Sequence, residues 1–288
     1  MSFAKILAPL TGGARDVAVL ATAFAAARPF GAHVEALFVR PDPAEAMPFF
    51  GEGVSGAVLQ EIVDVAKEAS DKAVERVTAT LNAAAAAAEA EVLAAPAKHN
   101  GISASFLELT GNFADRLTQE SRLCDLVVFG PLHEGEKAGL MEAFEAVLLD
   151  TGRPVLLTAQ QPPATLGTRI AIGCDGTVAS AHAVTAALPF LKRAESVALF
   201  TVKRGEEKAG VCAEVKAYLS LHGVTAMEKR VEPGARPLGE IVLGTALQCG
   251  ADLLVLGGYA QSRLKQTLFG SVTRHVVSHA HLPLFLVH

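Results

Sequence analysis

Apolar residues fall along this chain in short runs that alternate with longer, Ala-rich amphipathic stretches, and the alternation occurs twice in the same order. Lys5 to Pro9 (KILAP) opens the first half and Arg169 to Gly173 (RIAIG) the second. Val34 to Val39 (VEALFV) is echoed by Val197 to Val202 (VALFTV), and Asn100-Gly101-Ile102 by His222-Gly223-Val224. Asp125 to Gly130 (DLVVFG) returns as Asp252 to Gly257 (DLLVLG), and Arg153 to Leu157 (RPVLL) as Leu282 to Leu286 (LPLFL). Such self-similarity defines the architecture before any single element does. Between the runs, the spacing predicts helices near 14–29, 56–90, 112–122 and 138–151, then near 177–192, 208–222, 237–249 and 269–280.

Strands separated by helical patterns of this length predict parallel βα units. Near-continuous apolar strands predict a sheet covered on both faces. The expected fold class is therefore α/β, with two tandem, doubly wound, five-stranded parallel-sheet domains. The first spans 1–160 and the second 161–288, with Gln160 to Gly167 as linker, because the pair Pro162-Pro163 continues neither pattern. The halves differ most between Pro41 and Asn100. There the first carries a Pro/Gly-rich loop and the run Ala83 to Ala88, which reads as a long helix because alanine is the strongest helix former. A helix of that length is expected to cover something or to pack across the other domain.

Composition narrows the function. The 288 residues are 51% apolar and 19% charged, enough for two cores, and the net charge of −5 predicts neither a nucleic-acid footprint nor attraction to anionic membranes. No apolar run reaches membrane-spanning length. The N-terminus passes directly into a strand without the pattern of a secretory leader. The cysteines at 124, 174, 212 and 249 are scattered singly, so neither a zinc ribbon nor a CxxC redox pair is indicated. A cytoplasmic location is expected.

The segment with most chemistry runs from Gly257-Gly258 through Ser262-Arg263 to Gly270, Ser271, Val272 and Thr273, after the fourth strand of the second half. Ligands of open parallel sheets bind beyond the carboxyl ends of strands. A Gly-Ser step at a helix start offers free N–H groups, a hydroxyl and the positive end of the helix dipole, which suits phosphate. Asp175-Gly176 and Ser271 also have a plain structural reading, as a turn and a helix cap. His275 and His279 lie one turn apart with His281 beyond them, but no acid or cysteine accompanies them locally, and no metal site is expected. No GxGxxG, P-loop, GxSxG or HExxH pattern occurs, and no catalytic residue is assigned.

The tandem halves, the order of segments and GGYAQSRLKQTLFGSVTRHVV resemble the universal stress protein family, most strongly over 169–288. The resemblance implies an adenine-nucleotide α-hydrolase-like fold, with the halves paired about a pseudo-two-fold axis through their last strands, much as two family subunits pair. It implies a nucleotide-binding regulatory module in stress response. The ligand would be an adenine nucleotide, ATP with or without Mg, and hydrolysis would be slow at most. The family pattern Gly-x2-Gly-x9-Gly-Ser/Thr falls on Gly257, Ala260, Gly270 and Ser271, with Val272 following; Ala260 stands where the pattern has glycine. Asp175 matches an acid near the nucleoside, Val202 a position flanking the base, and Gly234 a loop closing over it.

The first half has Thr11 in place of Asp175 and Met141-Glu142-Ala143 in place of Gly-Ser, so no nucleotide is expected there. Ala260 and that degenerate half favour a second reading, a scaffold that has lost nucleotide binding. A third is a slow ATPase. Association of whole chains into a homodimer, and an unidentified protein partner, stay open.

Overall fold

The structure is a computed structural model that describes residues 2–42, 56–132, 138–202, 210–232, 235–258 and 271–288. The first half contributes β1 (Lys5–Leu10), α1 (Asp16–Ala27), β2 (His33–Arg40), α2 (Gly56–Ala88), β3 (Glu91–Val92), β4 (Ser103–Thr110), α3 (Phe113–Ser121), β5 (Leu126–Phe129), α4 (Ala138–Ala146, prolonged by a π-helical turn to Thr151) and β6 (Val155–Leu157). The second contributes β7 (Arg169–Gly173), α5 (Val178–Leu191), β8 (Ser196–Val202), α6 (Val211–Leu221), β9 (Ala226–Val231), α7 (Leu238–Gln248), β10 (Leu253–Gly257), α8 (Ser271–His279) and β11 (Leu284–Val287).

The eleven strands among the described residues form one sheet, in the order β3-β4-β2-β1-β5-β6-β11-β10-β7-β8-β9. Each half is a doubly wound α/β unit in which the first strand lies inside, neighbours run outward from it, and the chain then crosses back to the other side. Every pairing is parallel except the seam, where β6 and β11 run antiparallel with Phe285 opposite Leu156. Two-residue β3, an edge strand beyond the five expected of the first half, hydrogen-bonds to the start of β4.

Apolar side chains alternate along the strands onto two cores. One holds Val19, Leu20, Val77, Leu81, Val184, Ala187 and Leu219, so α1, α2, α5 and α6 share a face. The other holds Leu117, Phe144, Val147, Val242, Ala246 and Val276, so α3, α4, α7 and α8 share the opposite face. Equivalent helices on the same face, with an antiparallel seam, place the pseudo-two-fold axis perpendicular to the sheet. The first face also locks the halves together through rings. Phe3 lies 5.1 Å from Phe30 and 5.2 Å from Phe190, and Phe190 lies 6.1 Å from Phe285. Edge-to-face and tilted contacts of this kind add to the large area each ring buries.

The long helix α2 buries one stripe, Ala73, Val77, Leu81, Ala85 and Ala88, at the spacing of a helix face. Its contacts are with α1, β2, β3 and β4 of its own half. It also covers the β1–α1 loop: Arg76 Nε donates to the Gly12 carbonyl at 2.8 Å, and a Cβ on Gly12 would lie 2.9 Å from that of Ala73.

Candidate functional site

In each half the strand order reverses beside the first strand, so the loops leaving β1 and β5, and those leaving β7 and β10, diverge and open a crevice. The perpendicular axis sets the two crevices at opposite edges of the sheet.

The second crevice is built from the ends of β7 and β10. After β7 the chain turns through Gly176, whose φ of +76° is the left-handed region that favours glycine. Asp175 Oδ1 accepts the Thr177 N–H at 2.9 Å and its hydroxyl at 2.6 Å. Thr177 in turn caps α5, its Oγ1 accepting the Ser180 N–H at 3.2 Å. Among the described residues, Oδ2 of Asp175 accepts no hydrogen bond. Asp175 stands two residues past the end of β7, at the carboxyl edge of the sheet. Five half-buried apolar side chains pack from that edge on the core covered by α7 and α8: Val202, Val231, Leu238, Leu256 and Val272. Val202 and Val272 are thus brought to one face. Val231, Leu238 and Leu256 join them unannounced, although period-two alternation along β9 and β10 was the signal that pointed to that face.

Gly257 ends β10 on the other face, against α5. A Cβ there would lie 2.4 Å from Ser180 N and 2.6 Å from Ala179 C, so its lack of a side chain is what lets the helix start sit against the strand. Ser271 begins α8, as expected. Gly234, Ala260 and Gly270 lie outside the described residues.

In the first crevice the β1–α1 loop turns through Gly12 with φ +74°. The buried Asp16 carboxylate reaches back from the first turn of α1. Oδ1 and Oδ2 lie 3.1 and 3.2 Å from the Thr11 N–H, Oδ2 accepts the Gly12 N–H at 2.7 Å, and the Thr11 hydroxyl donates to Oδ1 at 3.3 Å. Burial raises the Asp16 pKa above its ordinary value, opposed by those same donors. Arg15 Nη1 spans to the Pro131 carbonyl at 3.4 Å, across the ends of β1 and β5. The loop N–H groups that face a ligand in an open crevice are here taken by the chain's own acid.

His275 and His279 stack with ring centroids 4.3 Å apart, and His279 Nδ1 lies 2.9 Å from the His275 carbonyl. With His281, Glu240 and Leu243 they line a shallow groove of about 430 Å³. Among the described residues, no three His, Cys, Asp or Glu side chains surround a common metal position.

These features define a tandem, doubly wound α/β protein with two unequal switch-point crevices. Residues 168–288 match the family model of the universal stress protein family. Among solved structures, the chain is similar to a universal stress protein of Archaeoglobus fulgidus, at 15% identity over 98% of this chain and 95% of that one, with a TM-score of 0.71. It is also similar to a Pseudomonas aeruginosa protein assigned provisionally to the same family, at 15% identity over 99% of this chain and 93% of that one, with a TM-score of 0.55. At such identity the likeness is one of fold, and it runs through both halves. No curated protein sequence matches the chain. No helix among the described residues is long and apolar enough to cross a membrane.

Proposed function

We propose that this protein is a cytoplasmic regulatory module of stress adaptation that binds one adenine nucleotide per chain, in the second crevice. The observation that carries the reading is the contrast between the crevices. At the second, Asp175 keeps one carboxylate oxygen unengaged among the described residues, and the apolar Val202, Val231, Leu238, Leu256 and Val272 stand at the same carboxyl edge of the sheet. At the first, Asp16 takes the equivalent space. An acid that accepts from ribose hydroxyls, an apolar wall for a base and a helix N-terminus for phosphate are a fitting donor set for a nucleotide. ATP, with or without Mg, is the favoured ligand. Gly257, Ala260, Gly270 and Ser271 would carry its phosphates, and Gly234 would lie near the base. Binding rather than turnover is the proposed role, with hydrolysis slow at most.

Calorimetry with ATP, ADP and AMP tests this. The wild type is expected to bind at least one of them with unit stoichiometry, and Gly270→Asp, which sets a carboxylate where phosphate would lie, is expected to abolish binding. Absence of heat with all three nucleotides removes the proposal.

A second reading is favoured by two observations: Oδ1 of Asp175 is already committed to Thr177, and Ala260 stands where the family pattern has glycine. On it, the chain is a scaffold for a protein partner. If Ala260→Gly binds ATP and the wild type does not, the scaffold reading holds.

A further inference from the structure

Two of the four cysteines meet at the lip of the second crevice, and the nucleotide reading uses neither. Ile170 and Ile172 of β7 and Cys174 just beyond it lie in the core shared by α5 and α6. Cys212, Val215 and Leu219 face that core from α6 at helical spacing, with Cys212 the second residue of the helix. The neighbouring position closes the same contact: a Cβ on Gly176 would lie 3.2 Å from Val211 Cγ2. The Cys174 thiol donates to the Ile172 carbonyl at 3.9 Å, and Cys174 and Cys212 are each 2% exposed. The neighbouring Cys212 thiol, followed by burial, raises the pKa of Cys174, and the Cys174 thiol lowers that of Cys212. The other two cysteines are placed differently. Cys124 donates to the Ser121 carbonyl at 3.1 Å, its thiol pushed up to about 12 by burial, and Cys249 closes the end of α7.

We propose that Cys174 and Cys212 are an oxidation site that forms a reversible intrachain disulfide by exchange with a disulfide oxidant of the glutathione class. Cys212 is the attacking group, because it lies in the first turn of α6, whose free N–H groups favour a thiolate. It releases its proton to solvent and attacks one sulfur of the oxidant, giving a mixed disulfide and one glutathione thiolate. Cys174 then passes its proton to that thiolate and attacks the Cys212 sulfur. The second glutathione leaves as thiolate and is protonated by solvent. Two protein thiols become one disulfide, and one oxidised glutathione becomes two reduced ones. Since both residues are buried, the first turn of α6 must open for the oxidant to enter, and the rate follows that local opening. The product ties the start of α6 to the strand end beside Asp175. This holds whether or not the crevice binds a nucleotide.

The test uses the full chain, reduced and then incubated with oxidised glutathione. Thiol titration is expected to fall from four groups to two, with the protein mass lower by two hydrogens and a peptide joining Cys174 to Cys212. Cys174→Ser is expected to stop at the mixed disulfide, retaining one glutathione on Cys212. Four titratable thiols after incubation, or a crosslink that maps to Cys124 or Cys249, would overturn the proposal.

Discussion

The two crevices use the same loop with the acid and the hydroxyl exchanged. The first half has Thr11 at the strand end and Asp16 in the helix, while the second has Asp175 at the strand end and Ser180 in the helix. Both turn through a glycine of nearly equal φ, +74° at Gly12 and +76° at Gly176. In the first, the carboxylate lies under the loop and collects its N–H groups; in the second, it stays on the loop and orders the hydroxyl that caps α5. Backbone shape was preserved through duplication, while the direction of the hydrogen bonds reversed. Moving one acid five positions changes which N–H groups of the loop the chain's own carboxylate takes.

The sharpest break in that comparison concerns the glycines that end the fourth strands. Gly257→Val is expected to destabilise the protein by about 3 kcal/mol or more, because the new atoms meet the α5 backbone at 2.4 to 2.6 Å and backbone cannot yield as a side chain does. Gly130→Ala, at the equivalent place in the first half, meets Val19 Cγ2 at an ordinary 3.5 Å and is expected to cost less than about 1 kcal/mol. Urea denaturation of the two variants reads the difference, and equal losses would contradict the tighter packing of the second half.

Next in size is the acid exchange. Asp16→Ala strands two loop N–H groups in a partly buried place and is expected to cost about 2–3 kcal/mol. Asp175→Ala removes a turn and cap interaction and is expected to cost about 1 kcal/mol. The reverse ranking in thermal melts would mean that Asp16 is not the internal ligand of its loop.

The smallest effect is one of pH and belongs to the first half alone. His33 lies buried on β2, its Nδ1 2.9 Å from Ser103 Oγ and its Nε2 2.8 Å from Ser105 Oγ, with Glu35, Lys5 and His99 as the charged or titratable neighbours. Burial lowers its pKa below 6.5, against the opposing pull of Glu35. The folded state therefore favours neutral imidazole. The stability this brings is present above 6.5 and is lost as pH falls from there toward the folded value, at up to roughly 1.4 kcal/mol per unit. The second half places Ser196 and Ala198 where the first has His33 and Glu35. His33→Gln is expected to flatten the stability profile between neutral and mildly acid pH, and an unchanged slope would reassign the effect.

The echoed strands were legible in the sequence because a strand buried on both faces is written as a compact apolar run. The last strands were legible in the same way, whereas their pairing as a seam, expected over Pro154 to Thr158 and Pro283 to His288, was implied by the family resemblance. The role of Asp16 was not legible. Comparing like positions showed Thr11 against Asp175, whereas the acid that fills the first crevice acts from the next helix, reaching back through space. Gly257 was read for a ligand, and the backbone of α5 gives it a packing reason that only three dimensions reveal. Two-residue β3 follows an alanine run and has too few side chains to announce itself.

The antiparallel seam has a consequence in mass action. Each half, alone, would present β6 or β11 as an open edge with unpaired backbone groups, and edges of that kind find partners at a rate set by concentration. Here each edge finds its partner on the same chain, at an effective concentration fixed by the connecting segment rather than by the amount of protein in solution. Pairing of the halves is expected to survive any dilution. A change in abundance of this protein therefore alters how many paired units are present without altering how each is assembled.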